Sequence, residues 1–510
     1  MCQPASTEPK KVVIVGAGPA GLLASILLLR KNINQPTPKY HVTLVDPGTN
    51  YGKLDGDGLQ AKRSWMIGLT VHGLEAIRKV PGLYEDYIRG LGIDIQHAVI
   101  GLSPKMKIEY SAKEFGIKDE SGFTVDRNFI CAALARYLNE KHDTAEGQDI
   151  DPSAPSDFVS YYDTKALFVD HEEKRVLIRK VGQSEEQKYI DYDLVIGCDG
   201  IRSVVRNALM SVDRNFEFDI RGTFGNNKAM HVDRPSNIKE GTFFFLKDAI
   251  PNMTSFTLPE TGNKLNVNLG YSTGNEHNID PILFTNDVDG ISKYFQKHFY
   301  AFEADWNDAA KQWVNQGWST IGQVHCNIYH NTKNMILLIG DAAHATSPSI
   351  GQGMNTALAD AGVFDELLDK HKDDITAAIQ EFSKERVKEG NALTDLSFYT
   401  FSLSGSQQLQ IMIGQTIRRK LNKLLPSLFD MDPMDAVATG SKLSVTYDKM
   451  SKLGIIQKVR RTNDNIMRKH FEKTSGMVIE AKSYMGVIRS GVMLGITALV
   501  VSYGYQAFYI

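Results

Sequence analysis

Two glycine clusters in this sequence have the residue types and spacing to hold an anionic group. Gly16, Gly18 and Gly21 form a G-x-G-x-x-G turn directly after the apolar, β-branched run 12–15 and directly before the helix-like stretch 22–29. In that strand–turn–helix context the first glycine permits a tight turn. The second lets backbone approach a pyrophosphate, and the third lets helix and strand pack closely. Asp46 ends a second apolar run, 41–45, where an acidic side chain can hold a ribose hydroxyl; a solvent-facing loop aspartate is the alternative. The polar, proline-bearing insert 31–39 accounts for its distance from the turn. The second cluster, 340–355, follows the apolar run 335–339 and contains Gly340-Asp341, Pro348 and Gly351-Gln352-Gly353-Met354-Asn355. It opens a helix over 356–370, with apolar residues at Leu358, Val363, Phe364, Leu367 and Leu368. Free N–H groups and the helix dipole favour negative charge at such a turn. An ordinary glycine-rich strand-to-helix loop would have the same local pattern.

Positioning these residues takes a parallel sheet with helices on it. A third apolar run, 192–196, ends in Gly197-Cys198-Asp199-Gly200, and small residues at a strand end mark close approach by a ligand. Asp126-Arg127 starts a helix over 128–140, where the arginine either reaches a phosphate or lies at a solvated helix end. A glycine-rich loop, 51–62, leads to Arg63-Ser64 and a helix over 71–79; 104–110 reads as an edge strand, and 165–169 with 175–181 as a hairpin. From 216 to 329, strands at 242–246, 255–258 and 265–271 alternate poorly with helices, which predicts an antiparallel sheet inserted in an α/β frame. Residues 374–399 and most of 402–480 are helical in pattern, with breaks near Pro426 and Pro433.

The whole chain narrows the classes. At 510 residues it is long enough for two or three domains, and a net charge of −3 argues against a nucleic-acid partner. Cys2, Cys131, Cys198 and Cys326 are too far apart for a paired metal site or a disulfide framework, which fits a reducing compartment. Residues 1–11 are polar and carry no secretory signal.

In their order along the chain, the motifs at 16–21, 192–206 and 340–355 resemble those of the single-component FAD-dependent aromatic hydroxylases. Within that group the stretches Arg63-Ser64, 194–200, 351–355, 363–367 and 392–399 are most like those of the kynurenine 3-monooxygenases. The resemblance implies a doubly wound, Rossmann-like FAD-binding domain (10–209 and 331–400, with substrate-side elements near 63–115) and an inserted antiparallel-sheet substrate domain (210–330). A helical region (401–485) and a terminal segment (486–510) complete the chain. It implies FAD as cofactor, NADPH or NADH and O2 as co-substrates, and transfer of one oxygen atom from a flavin C4a-hydroperoxide to an aromatic, kynurenine-like substrate. The implied FAD contacts are Gly16, Gly18, Gly21, Asp46, Arg63, Arg127, Asp199, Asp341, Pro348 near the isoalloxazine, Gly351, Gly353, Met354 and Asn355. Tyr110 and Asn355 fall where the family binds a substrate carboxylate, and Tyr399, a further implied substrate contact, lies in a matching C-terminal stretch. No residue is assigned as a general base, and His344 is read as packing within its loop.

One departure bears on the substrate. The family's carboxylate-gripping arginine has no counterpart in 92–99, where His97 is the nearest cation, and a buried carboxylate without a cation is costly. Ser349-Ile350 also replaces a bulky aromatic pair. Either another group supplies the charge or the substrate is different, which keeps an epoxidase or hydroxylase of a lipophilic compound, or a flavin-binding membrane scaffold, as alternatives. Residues 491–510 carry no charged side chain, and about 20 apolar residues span a bilayer. With basic residues ahead of it, this segment reads as a transmembrane tail anchor leaving the body on the cytoplasmic side. The mitochondrial outer membrane is the site the family suggests, with the endoplasmic reticulum as the other candidate; a buried C-terminal helix is the competing reading.

Overall fold

The computed structural model describes residues 8–60, 62, 64, 66–111, 122–142, 144–146, 157–183, 187–272, 275–429 and 431–476. Arg63 and the whole 491–510 segment therefore lie outside the described residues. Two units are distinguished, Met1–Asn463 and Asp464–Ile510. The described part of the second is helical to Ser475.

The first unit contains the predicted doubly wound sheet. Its central strands are Lys10–Val15, Tyr40–Val45, Leu194–Gly197 and Ile336–Leu338, all parallel, drawn from three distant parts of the chain. They are near-continuous apolar runs because helices cover both faces. Helix Pro19–Arg30 starts with proline at its first turn and buries all of Ala20–Leu29. Helix Gly353–Lys370 packs against it, with Leu358, Phe364 and Leu368 buried. This helix begins three residues earlier than the apolar spacing predicts, since Gly353, Asn355 and Thr356 interrupt that spacing in its first turn.

The second sheet has seven strands, and its pattern corrects one expectation. Phe218–Asp233, Thr242–Ile250, Met253–Glu260, Lys264–Tyr271 and Ser319–Cys326 pair antiparallel, as predicted. Strands His97–Ser103 and Met106–Ser111, however, extend the sheet from the N-terminal part of the chain, and His97–Ser103 runs parallel to Thr242–Ile250. The inserted sheet is thus mixed. A strand arriving from another chain segment can run either way, whereas hairpin-linked strands must be antiparallel. One face is sealed by helices Val288–His298 and Trp306–Asn315, whose Trp306 and Trp313 meet Met230, Phe244, Leu246 and Val267.

Candidate functional site

The three glycines of the first turn have different structural reasons. Gly16 has φ +108°, and a Cβ there would lie 2.3 Å from the Cys198 carbonyl oxygen. A Cβ on Gly21 would meet the Gly16 carbonyl oxygen at 1.9 Å. Gly18 is different: among the described residues, its chain neighbours aside, the nearest heavy atom to its Cβ position is Nη2 of Arg127, at 4.0 Å. Two glycines let backbones touch, and the third faces open space beneath a guanidinium.

That space is a cleft lined by Ala17, Gly18, Asp46, Tyr51, Arg127 and Tyr162. Asp46 holds its rim: one carboxylate oxygen accepts from the Ala17 N–H and the other from the Gly48 N–H, both at 2.7 Å. Arg127 opens helix Arg127–Lys141, where the buried Asp126 caps the helix by accepting from the Asn128 N–H at 2.6 Å and from Ser64 Oγ at 2.7 Å. The Arg127 pKa is raised by its proximity to the Cys131 sulfur and then to Asp341, Tyr51 and Asp46, against the opposing effect of burial. One permanent cation thus stands among the first glycine turn, the end of the second strand and the second glycine cluster. Asp199 lies beside Gly16, accepts from the Val204 N–H at 2.7 Å, and has its other oxygen buried without a hydrogen-bond partner among the described residues; burial raises its pKa.

The second cluster is built on a buried charge that sequence reading missed. Gly340 has φ 63° and ψ −141°, a conformation open essentially to glycine alone, and Asp341 follows it, exposed. The Gly340 N–H donates to Asp360 Oδ2 at 2.9 Å, which also receives His344 Nε2 at 2.6 Å; Arg386 Nε donates to Oδ1 at 2.6 Å. Asp360 has no solvent exposure, and despite burial His344 and Arg386 hold its pKa down at about 2. His344 therefore works as a structural partner, in keeping with its reading as a packing residue. Asp360 and Arg386 sit on separate helices, 26 residues apart, with no motif to flag them.

Beyond it, Pro348–Ile350 makes one tight turn, Gly351 takes φ 66°, and Gly353 and Met354 open the long helix. Asn355 is fully buried. Its Oδ1 accepts from the Thr70 N–H at 2.7 Å, and its Nδ2 donates to the Gly68 and Gly351 carbonyls at 2.8 and 3.0 Å. The amide is spent on backbone, so it positions the loop rather than presenting itself to a substrate. Tyr399 ends helix Ile375–Tyr399, buried, with the Arg460 guanidinium 5.2 Å from its ring centroid.

Tyr110 and His97 separate. Tyr110 pairs with Ala98, in register with Phe243, and neighbouring pairs on the same face are Ile108–Ile100 and Phe245–Phe256. This is the face turned away from the covering helices; its Phe245 and Phe256 rings are 5.0 Å apart and Phe256 is exposed. His97 alternates to the other face, which it shares with Val99 of the helix-covered core, so it cannot supply a cation beside Tyr110. Arg419 does lie within electrostatic reach of Tyr110, but Asp435 grips its guanidinium through two bonds, of 2.8 and 2.6 Å. On the uncovered face, too, His231 Nδ1 meets the buried Glu260 at 2.7 Å, a pair the sequence did not reveal. No group of residues suited to a metal occurs among the described residues.

An open glycine under an arginine, an acidic strand end and a second anion-favouring turn together have the shape and charge to suit a dinucleotide. Residues 302–392, which include the second cluster, match a family described as an FAD binding domain. Violacein synthase of Chromobacterium violaceum is 26% identical over 460 residues, covering 87% of this chain and 96% of that protein. Kynurenine 3-monooxygenase of Sus scrofa is 27% identical over 453 residues, covering 85% and 84%. The solved 2-methyl-3-hydroxypyridine-5-carboxylic acid oxygenase shares the fold, with a TM-score of 0.57 at 15% identity over 86% of this chain and 97% of that one. Residues 302–392 thus match an FAD binding domain, and most of the chain is similar to violacein synthase and to kynurenine 3-monooxygenases, with a fold shared with a solved aromatic oxygenase.

Proposed function

We propose that the protein is an NAD(P)H-dependent monooxygenase that uses FAD and O2 to place one oxygen atom on a small aromatic substrate. The observation that carries this reading is the presence in one unit of the Gly18–Arg127–Asp341 cleft and of a sheet face, turned away from the covering helices, that bears Phe243, Phe245, Phe256 and Tyr110. Bound FAD would supply electron transfer from NAD(P)H and activation of O2. Gly18 leaves room for a pyrophosphate, and Arg127 offsets its charge. Asp46 and Asp341 are placed to accept from sugar and ribityl hydroxyls, and Gly353 and Met354 offer helix N-terminal N–H groups to the electron-rich end of the ring system. The aromatic face would stack the substrate ring and keep water from the reacting carbon.

Kynurenine is the first compound to test, on the strength of the relatives. The Arg419–Asp435 pair speaks for a substrate that does not need an unshared cation, so a neutral or lipophilic aromatic compound is the second reading. The test is NADPH consumption with each compound, with mass detection of a product heavier by one oxygen. If no aromatic compound accelerates flavin reduction or gains oxygen, the proposal fails while the cofactor site stands. In this reading residues 491–510 anchor the body to a membrane, supported by their length without charge. Among the described residues no helix is long and apolar enough to cross one.

A further inference from the structure

Helix Gly405–Leu424 is apolar on two opposite sides. Its inward side carries Ile411, which packs against the buried cluster around Tyr399, as does Ile350 of the second glycine cluster. Arg418 and Arg419 on this helix are tied to Asp432 and Asp435. Its outward side carries Ile413, Ile417, Lys420 and Leu424, the i, i+4, i+7 and i+11 positions of one stripe. Ile413 is 52%, Ile417 53% and Leu424 75% exposed. The chain then continues through Leu425, Leu428 (72% exposed) and Met431, so six large apolar side chains stand in solvent within 19 residues. Such a concentration of exposed apolar side chains along one short stretch of chain is a mark of an interaction site.

The charges on the stripe select the occupant. Lys420 lies in the middle of it and Lys423 beside it, both exposed. A second copy docked stripe to stripe would bury the Lys420 of both copies in one apolar contact with no acidic partner on the stripe, which opposes self-association. A lipid surface accepts both features at once: apolar side chains enter the acyl boundary while lysines reach the phosphates. The charge-free stretch at 491–510 independently points to a bilayer. We infer that helix Gly405–Leu424 and the following loop lie in the interface of an anionic membrane, as a contact separate from the C-terminal segment. The contact sits on the helix that backs the flavin loop, so a membrane-dissolved compound would meet the protein next to its site.

The test uses the full chain, bound to vesicles of 70% phosphatidylcholine and 30% phosphatidylserine containing a photoactivatable phospholipid. Mass spectrometry then locates the labelled residues. Labels within 405–431 are expected, and Lys420→Gln/Lys423→Gln should lower their yield roughly 30-fold at low salt. Ile413→Ser/Ile417→Ser should abolish them without altering FAD content. Labels confined to residues 477–510 would overturn the inference. So would a dimer in solution that dissociates in the Ile413→Ser/Ile417→Ser protein, because the stripe would then be a contact between copies.

Discussion

Asp360→Asn tests whether the buried carboxylate is the support of the second glycine cluster. The side chain has no solvent exposure and accepts from the Gly340 N–H, His344 and Arg386. Asparagine keeps the shape, but it removes the charge and turns an N–H2 towards donors. Removing one partner of a buried pair costs ~3–5 kcal/mol, because the other charge is left uncompensated. The acid-side figure agrees in scale: lowering the pKa from 3.8 to about 2 corresponds to ~2.4 kcal/mol. At about 2 cal/mol/K per residue, a unit of this size loses ~1 kcal/mol per degree, so the melting temperature should fall by roughly 3–5 °C. The pH dependence has a definite sign. A lowered carboxyl pKa gives stability that is complete above 3.8 and is lost as pH falls through about 2. The gap between wild type and variant should therefore be widest near neutral pH and narrow below pH 3.8. Since Asp360 also fixes the Gly340 turn ahead of Asp341, FAD affinity should drop roughly ten-fold, the scale of one charge-assisted hydrogen bond. Calorimetric scans across pH, with FAD titration by fluorescence quenching, measure both. A variant with unchanged melting temperature and unchanged FAD affinity would refute the assignment of Asp360 as the support.

Gly16→Ala and Gly18→Ala should behave oppositely. The first meets the Cys198 carbonyl and should impair folding, whereas the second should fold normally and retain less FAD, as read from soluble yield and the flavin-to-protein ratio. Asp341→Ala removes an exposed side chain and should cut FAD retention with a melting shift under about 1 °C. Asn355→Ala breaks three buried bonds and should cost ~2–4 kcal/mol, seen in urea unfolding, with faster proteolysis near Gly351. Burial would lower the His231 pKa, but Glu260 outweighs it and raises it above 6.5. Its stabilising share is thus complete below pH 6.5 and lost as pH rises through the folded value, and His231→Gln should flatten that limb in a pH series of melting temperatures.

The sheet and helices around the first glycine turn were largely legible because their pattern is local. A turn that must admit a pyrophosphate needs glycine at fixed offsets between a strand and a helix, and Gly16, Gly18 and Gly21 stand there. What could not be read was set by contacts across the fold. Asp360 and Arg386 look like ordinary helix-surface charges until helices Gly353–Lys370 and Ile375–Tyr399 pack together. Asn355 carries the same amide whether it faces a ligand or, as here, the Thr70 backbone. His97 and Tyr110 looked like partners because both belong to the substrate side, and only the pairing of Ala98 with Tyr110 shows that alternation sends His97 to the other face. The same missing knowledge of partners hid the parallel strand His97–Ser103 inside an otherwise antiparallel sheet.

The order in which the central strands enter the first sheet also governs biosynthesis. Strands Lys10–Val15, Leu194–Gly197 and Ile336–Leu338 lie side by side, yet Gly16 and Asp341 leave the ribosome more than 300 residues apart. At 5–20 residues per second the first glycine turn waits roughly 15–60 s for the second glycine cluster. For roughly the last 7–28 s of that wait, after Leu194–Gly197 has been made, the apolar edge that Ile336–Leu338 later covers has no neighbour of its own chain. Newly made protein is therefore most exposed to aggregation in the interval before Ile336–Leu338 emerges to cover that edge.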